Sequence, residues 1–314
     1  MHLNLLLGLL PFAHGLNIIS SNDDGWAEIN IRSLYHSLTS AGHSVVISAP
    51  AENQSGTGAS PFSHFLYKQL TYSGSLDTPP HKRIFPCEFD SCPGGSSAYG
   101  HNASQPRFNY VNSHPATSMQ YGINKFSPKF FDGKPDLAVS GPNVGANLDV
   151  AVFFSGTAGA ATHAVKEANI PAIAFSGKSG KATAWNDGEP LYSRVYAELS
   201  TRLTDQLIAS GTPYLPPDVW LNVNFPDVSD SSCTNPDDFH FVLSRIFPAV
   251  PPVTDDDVES CGSKHLPSER KVVDTSGCYV SVSVGIASSK EDANATMQGV
   301  VLGKLGSFLT CLPD

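Results

Sequence analysis

The sequence is poor in charge, and positive charge is the scarcer kind. Charged residues make up 15% of the 314 positions, against about 25% in an ordinary globular chain. The formal net charge at pH 7 is -10, so the chain lacks the basic surface that contact with a phosphate backbone requires. We therefore expect no binding to duplex nucleic acid.

Long apolar runs are also missing, since no stretch approaches the ~20 residues of a membrane span. The apolar segment 3–12 is too short to span a bilayer and is followed by Ala13-His14-Gly15. These residues are typical of a secretory signal peptide cleaved after Gly15, although the segment has no Lys or Arg. A buried N-terminal strand is the alternative. The sequence predicts a signal peptide at 1–15 and a secreted protein with no membrane partner.

Several catalytic and metal-binding motifs are absent. The chain has no Cys-x-x-Cys, no His-Glu-x-x-His and no Gly-x-Ser-x-Gly, which argues against zinc ribbons, zinc-protease helices and the nucleophile elbow. Gly177-Lys178-Ser179 resembles the end of a P-loop, but Ala172 stands where the first glycine of that motif belongs.

The cysteines agree with secretion. Their number is six, which is even, and an oxidising compartment makes them disulfide candidates. Six cysteines allow 15 pairings, and the sequence does not choose among them. Cys87 and Cys92 are close enough for a local loop. Asn102 and Asn294 lie in sequons, which predicts a glycoprotein.

Strands and helices alternate along most of the chain. The pattern predicts strands at 16–21, 45–49, 136–140, 170–175, 219–224, 241–247 and 279–284, and helices at 26–41, 116–125, 155–169 and 191–210. This order predicts an α/β protein: a Rossmann-like three-layer α/β/α fold with a mostly parallel sheet, plus an irregular C-terminal β-containing extension. We expect one domain over 16–314, with an enlarged loop region at about 61–110.

Polar clusters follow three of the predicted parallel strands, where open α/β sheets bind ligands. They are Asn22-Asp23-Asp24-Gly25, Asn53-Gln54-Ser55-Gly56, and the segment from Ser140 to Asn147 with Ser155-Gly156-Thr157 beyond it.

Adjacent carboxylates repel each other unless a cation lies between them, although Asn-Asp-Asp-Gly alone is also ordinary turn chemistry. Asp23, Asp24, Ser55 and Asn143 together make an all-oxygen ligand set that suits Mg²⁺ or Mn²⁺, with Ca²⁺ as a further option, and does not suit structural zinc. The sequence therefore predicts a divalent cation site.

Ser155-Gly156-Thr157 opens a predicted helix and offers free N–H groups, two hydroxyls and the positive end of the helix dipole. These features predict an anion cradle. A plain N-cap is the alternative for Ser155.

These blocks resemble the SurE family of metal-dependent nucleotidases and phosphatases. The resemblance rests on the order and spacing of five motifs: Asn22–Gly25, Ala49-Pro50, Asn53–Gly56, Pro135–Asn147 with Ser155–Thr157, and Leu221–Pro226. It covers about two thirds of the chain that follows the predicted signal peptide.

The resemblance implies a phosphomonoesterase that hydrolyses nucleoside 5'- or 3'-monophosphates or related phosphate monoesters. It implies that the metal ligands are Asp23, Asp24, Ser55 and Asn143. It implies that the phosphate contacts are Asn143, Ser155, Gly156 and Thr157, and that Asn22, Asn53 and Asn147 line the pocket. Asp23 or Asp24 would orient or deprotonate the water, and direct carboxylate attack is a further option.

The chain departs from the family pattern at Pro142, at Leu148-Asp149, at Phe153-Phe154, in the enlarged region and in its C-terminal third. Substrate choice and assembly therefore stay open, including a homodimer. The alternative function is a secreted, non-catalytic binding protein for metal or nucleotide on the same scaffold.

Asn53 also lies in a sequon, but we expect it to stay unmodified. Its loop belongs to the predicted site, and a glycan there would obstruct the entry of phosphate.

Overall fold

The computed structural model describes residues 15–55 and 79–313. The predicted signal peptide, except Gly15, lies outside the described residues. So do Gly56 and the first part of the enlarged loop region.

One sheet organises the described residues. Its strands are β1 Asn17–Ser21, β2 Ser44–Pro50, β3 Tyr99–His101, β4 Phe108–Val111, β5 Leu137–Val144, β6 Ala172–Gly177, β7 Val219–Phe225, β8 His240–Ser244 and β9 Tyr279–Ile286. The nine strands lie in the order β3-β4-β2-β1-β5-β6-β7-β9-β8. Only the β3–β4 and β7–β9 pairs are antiparallel, and the other pairs are parallel.

Helices cover both faces of the sheet. They are α1 Ile29–Ser40, α2 Pro115–Tyr121, α3 Pro128–Phe131, α4 Ala151–Phe154, α5 Gly156–Ala168, α6 Leu191–Ala209, α7 Glu269–Asp274 and α8 Ala295–Leu305. Helices α1 and α6 pack against each other, and α2 packs against α5. The expected three-layer, mostly parallel α/β/α fold is confirmed.

Strand alternation divides the apolar core into two parts. Ile18 on β1 packs with Leu34 of α1 and Leu199 of α6, whereas the next residue, Ile19, packs with Met119 of α2 and Ala160 of α5. Successive strand side chains point to opposite faces of a sheet, so a strand buried on both faces is apolar throughout.

Strand β5 continues further than the sequence predicts. The expected strand ends at Ser140, but the observed one passes an irregularity in its register between Ser140 and Asn143 and ends at Val144. At this irregularity Gly141 has a φ of 104°, which favours glycine. The irregularity places Asn143 in the strand itself.

Six elements were not predicted: β3, β4, α3, α4, α7 and α8. The C-terminal strands β8 and β9 continue the main sheet at its edge beyond β7, so the expected β-containing extension is part of the same layer.

Three disulfides are present, Cys87–Cys92, Cys233–Cys278 and Cys261–Cys311. The local Cys87–Cys92 loop is therefore confirmed, and the described cysteines contain no free thiol. Within residues 15–55 and 79–313, no helix combines the length and apolar character that crossing a bilayer requires.

Candidate active site

The strand order reverses at β1, which lies between β2 and β5. From β1 the chain first adds β2 on one side and later adds β5 on the other. A crevice at the carboxyl ends of the strands opens at such a reversal. The polar clusters after β1, β2 and β5 therefore meet at one edge of the sheet.

Asp23 and Asp24 follow β1 and are buried, with exposed fractions of 3% and 1%. The Thr157 hydroxyl donates to Asp23 Oδ1 at 2.5 Å, and the Val144 N–H donates to Asp24 Oδ2 at 2.9 Å. One carboxylate is thus held by the start of α5 and the other by the end of β5.

Asn22 and Gly25 close the turn that carries the two carboxylates. Asn22 Nδ2 donates to the Gly25 carbonyl at 3.0 Å, and the Gly25 N–H donates to Asn22 Oδ1 at 3.2 Å. The turn chemistry allowed by the sequence is therefore present, and it fixes Asp23 and Asp24 between its ends.

Asn143 reaches the same cluster from β5. Its Nδ2 donates to the Gly145 carbonyl at 2.6 Å, which orients the side chain. Its Oδ1 lies 3.3 Å from the Thr157 hydroxyl. Asp23, Asn143 and Thr157 therefore meet at a shared hydroxyl, with Asp24 next to Asp23 in the chain.

The second polar cluster is tied to the first through the backbone. The Gln54 N–H donates to the Asp23 carbonyl at 2.7 Å, and the Ser55 N–H donates to Asn53 Oδ1 at 2.8 Å. Asn53 and Ser55 are exposed. The structure therefore brings the backbone of this loop to the turn that carries the carboxylates.

Ser155 is the N-cap of α5, because its Oγ accepts from the Ala158 N–H at 3.0 Å. The capping alternative is therefore present in the structure. The N–H groups of Gly156 and Thr157 face the Asp23 carboxylate and favour its charged form. The start of α5 thus already holds a negative group.

Gly156 allows the close approach between α5 and the turn after β1. A Cβ on Gly156 would lie 2.7 Å from Asp23 Cβ and 2.9 Å from both Asp23 Oδ2 and the Pro115 ring. No side chain fits there without a shift of Asp23 or Pro115.

Burial is the main influence on the charges of the two carboxyls. It raises the pKa of Asp23 and raises that of Asp24 well above the ordinary value, and the neighbouring charges of Asp23 and Glu28 raise the pKa of Asp24 further. Among the described residues, no Lys, Arg or His forms an ion pair with either one.

Two further acidic residues near the site were missed by the sequence analysis. Glu28 caps α1 and is buried. Glu88, in the loop closed by Cys87 and Cys92, accepts from the Asn53 N–H through Oε2 at 2.8 Å. The five-residue cysteine spacing signalled a constrained loop, but no sequence signal placed it against Asn53.

The donor set fits a hard divalent cation. It consists of two buried carboxylates without a cationic partner, an amide oxygen and a hydroxyl, and such oxygen ligands are those that Mg²⁺, Mn²⁺ and Ca²⁺ prefer. The described residues contain no group of three or more His, Cys, Asp or Glu side chains arranged for a metal. A cation here would therefore depend on Asn and Ser oxygens beside the two carboxylates.

Asn147, which was predicted to line the pocket, is hydrogen-bonded to the neighbouring strands β6 and β7. Its N–H donates to Asn224 Oδ1 at 2.9 Å, and its Nδ2 donates to Ser176 Oγ at 2.8 Å. Its carbonyl accepts from the side chains of Asn222 and Asn224. These contacts fix the end of the β5 loop to β6 and β7.

Several known proteins are similar to this chain. Residues 18–241 match the family model described as "Survival protein SurE". The chain is 33% identical over 294 residues to an acid phosphatase of Yarrowia lipolytica, covering 85% of this chain and 78% of that protein. It is 31% identical over 161 residues to a "5'-nucleotidase SurE" of Desulfovibrio desulfuricans, covering 51% of this chain and 49% of that protein.

The crystal structure of the SurE protein from Aquifex aeolicus has the same fold. It superposes with a TM-score of 0.56 at 21% identity and covers 91% of this chain and 98% of that one.

The fold and site thus define an α/β protein with a cluster of buried acidic residues at the strand-order reversal. The chain belongs to the SurE family.

Proposed function

We propose that this protein is a secreted phosphomonoesterase that depends on a divalent cation and hydrolyses nucleoside 5'- or 3'-monophosphates or related phosphate monoesters. The observation that carries the proposal is the pair of buried residues Asp23 and Asp24, which has no cationic side-chain partner among the described residues. Asp23 of this pair is held against the start of α5 at the strand-order reversal. The acid phosphatase and nucleotidase names of the relatives support the reaction class.

Asp23, Asp24, Ser55 and Asn143 would hold the cation, Mg²⁺ or Mn²⁺, with Ca²⁺ as a further option. When bound, the cation supplies Lewis-acid stabilisation of phosphoryl oxygens and a lowered pKa for bound water. The two carboxylates supply most of the negative charge, whereas Asn143 contributes an oxygen that its own hydrogen bond to the Gly145 carbonyl has already oriented.

The start of α5 would hold the substrate phosphate. The positive end of the helix dipole favours a negative ligand at this terminus, where the N–H groups of Gly156 and Thr157 face the Asp23 carboxylate. The Ser155 hydroxyl keeps the first turn in place by capping it. Asn143 is assigned to both the metal and the phosphate sets, so the two sites would lie side by side.

A carboxylate of the Asp23–Asp24 pair would orient or deprotonate the attacking water, or would itself attack phosphorus.

Three disulfides are compatible with an oxidising compartment, which supports the secreted location.

The test is hydrolysis of p-nitrophenyl phosphate and a panel of nucleoside 5'- and 3'-monophosphates by protein from a secretory host. Each substrate is assayed after EDTA treatment and after return of Mg²⁺, Mn²⁺ or Ca²⁺. We expect turnover that EDTA abolishes and a divalent cation restores. Nucleotide binding without turnover in every metal would instead support the non-catalytic binding protein.

A further inference from the structure

Residues 147–154 connect the two halves of the site. This connecting segment begins at Asn147, just after the Asn143 ligand position, and ends at Phe154, just before the Ser155 cap of α5. It contains α4. The separation of Asn143 from the start of α5 therefore depends on how this segment is held.

Glu269, the first residue of α7, holds the beginning of the connecting segment. It is fully buried, and its Oε1 accepts from the Asp149 N–H at 2.9 Å. Its Oε2 accepts from Asn222 Nδ2 at 2.8 Å and from the Ser283 hydroxyl at 3.2 Å. Since Asn222 also donates to the Asn147 carbonyl, one carboxyl group fixes the segment directly and through β7.

Lys290 holds the other end of the connecting segment. Its ammonium group is buried and donates to the carbonyls of Val152 and Phe153 at 3.2 and 3.3 Å. These carbonyls lie in the last turn of α4, where backbone acceptors lack helical partners. The positive charge of Lys290 there also interacts favourably with the negative end of the helix dipole.

We propose that Glu269 and Lys290 are positioning residues of the active site. By their hydrogen bonds to the connecting segment, they set the distance between Asn143 and the start of α5. Both lie beyond residues 18–241, the part of the chain that matches the family model. The C-terminal third thus contributes to catalysis without contacting the substrate. The inference rests on the proposed function.

The decisive variant is Glu269→Gln. Both carboxyl oxygens of Glu269 face donors, so an amide presents its NH₂ group to one donor and loses one contact while the size of the side chain is kept. Asp257→Asn is the matched control. Asp257 is also a buried carboxylate with donors on both oxygens, but those donors, Arg245, Leu266 and Gln298, lie outside the connecting segment and outside the loop of Lys290.

Two readouts separate positioning from stability. Hydrogen exchange of peptides covering 144–155 reports on the segment without any substrate or metal, and kcat/KM of the EDTA-treated, cation-restored protein reports on the site. Thermal unfolding of each variant measures its loss of stability, so that variants with similar losses can be compared.

We expect Glu269→Gln to accelerate exchange in 144–155 and to lower kcat/KM about 10-fold or more, because small displacements of reacting groups have effects of this size. Asp257→Asn should lose at least as much stability, leave exchange in 144–155 unchanged, and keep kcat/KM within about twofold. Lys290→Met should act like Glu269→Gln.

Unchanged exchange in 144–155 and unchanged kcat/KM in folded Glu269→Gln and Lys290→Met would overturn the positioning role and leave the proposed function intact. Equal effects of Asp257→Asn would do so too, because the losses would then follow general stability. A wild-type protein with no turnover in any metal would instead overturn the proposed function and the positioning role with it.

Discussion

At the scale of single residues, the site is a concentration of buried carboxyl groups. Asp23, Asp24 and Glu28 are all nearly inaccessible to solvent, and burial raises the pKa of each. Burying carboxylates without cationic partners costs stability. Such an arrangement favours a site whose charge is completed by a ligand.

Replacing Asp23 by Asn should separate function from stability. We expect phosphatase activity to fall by about 10³-fold or more, the equivalent of several kcal/mol of lost transition-state stabilisation. Without metal, the variant should unfold at a higher temperature than the wild type, because a buried carboxylate beside Asp24 is removed. Hydrolysis of p-nitrophenyl phosphate and thermal unfolding in EDTA measure the two effects.

Asp132→Asn is the control for that change. Asp132 is exposed and precedes β5, at the opposite edge of the sheet from the site. It should behave like the wild type in both measurements. Near-normal turnover in Asp23→Asn would remove Asp23 from the proposed machinery.

Glu28 predicts a pH dependence of stability in the metal-free protein. Burial raises its pKa from 4.5 to about 8, so the folded state retains a proton that the unfolded state has lost. Stability from this group is present below about pH 4.5 and is lost as the pH rises towards 8, with a slope of at most about 1.4 kcal/mol per pH unit.

Glu28→Gln should flatten that decline, because the amide does not titrate and its oxygen can still accept from the Asn30 N–H as Glu28 does. Urea unfolding in EDTA between pH 5 and pH 8 measures the slope. Glu167→Gln, which changes an exposed carboxylate on α5, should leave the slope as in the wild type. Identical slopes in all three proteins would contradict the assignment.

At the scale of secondary structure, the close packing of α5 on the turn after β1 is the critical contact. Gly156→Ala places a Cβ against Asp23 and Pro115, so the contact must open. We expect a loss of about 1–3 kcal/mol in stability and a decrease in kcat/KM of up to about 100-fold.

Gly159→Ala is the matched control on the same helix. A Cβ at this position meets nothing within 4 Å, so the substitution should gain up to about 1 kcal/mol from helix propensity and keep full activity. Comparable activity in the two variants would show that the approach of α5 to Asp23 does not matter for turnover.

The long, regular elements could be predicted from the sequence because their own side chains specify them. The β-branched runs of β1 and β2 and the spacing of Leu34 and Leu38 on α1 are examples. Helix α8 was missed although Asn294 caps it, because Gly299 and Gly303 lower its helix propensity. The short strand β3 depends on pairing with β4, which no local pattern encodes.

The central part of the site could be predicted for a different reason. Asp23 follows β1, Asn143 lies near the end of β5, and Thr157 lies in the first turn of α5, the long helix after β5. The carboxyl ends of parallel strands meet at one edge of a sheet, so these three residues come together there. Glu88 and Glu269 could not be placed in the same way. Their contacts join residues far apart in the chain, through a disulfide loop in one case and through the C-terminal third in the other.

At the scale of the whole molecule, two disulfides link distant parts of the C-terminal third. Cys233–Cys278 and Cys261–Cys311 span 45 and 50 residues, whereas Cys87–Cys92 spans 5. Cross-links that close longer loops restrict the unfolded chain more. The C-terminal residues that hold the connecting segment are therefore part of a cross-linked unit.

Removing Cys261–Cys311 with paired serines should lower the free energy of unfolding by about 4 kcal/mol, and removing Cys87–Cys92 by about 2 kcal/mol, from loop entropy alone. Urea denaturation of both double variants measures the difference, and thiol mass spectrometry of the wild type should find no free cysteine. An equal or reversed order of stability losses would contradict this account of the cross-links.

The central claim is that a divalent cation binds at the Asp23–Asp24 pair. Anomalous diffraction from crystals of the protein grown with Mn²⁺ tests it most directly. The account predicts an anomalous peak at coordination distance from oxygens of Asp23, Asp24 and Asn143, and the loss of that peak in Asp23→Asn. Fully occupied Mn²⁺ elsewhere in the molecule, with none at these carboxylates, would contradict it.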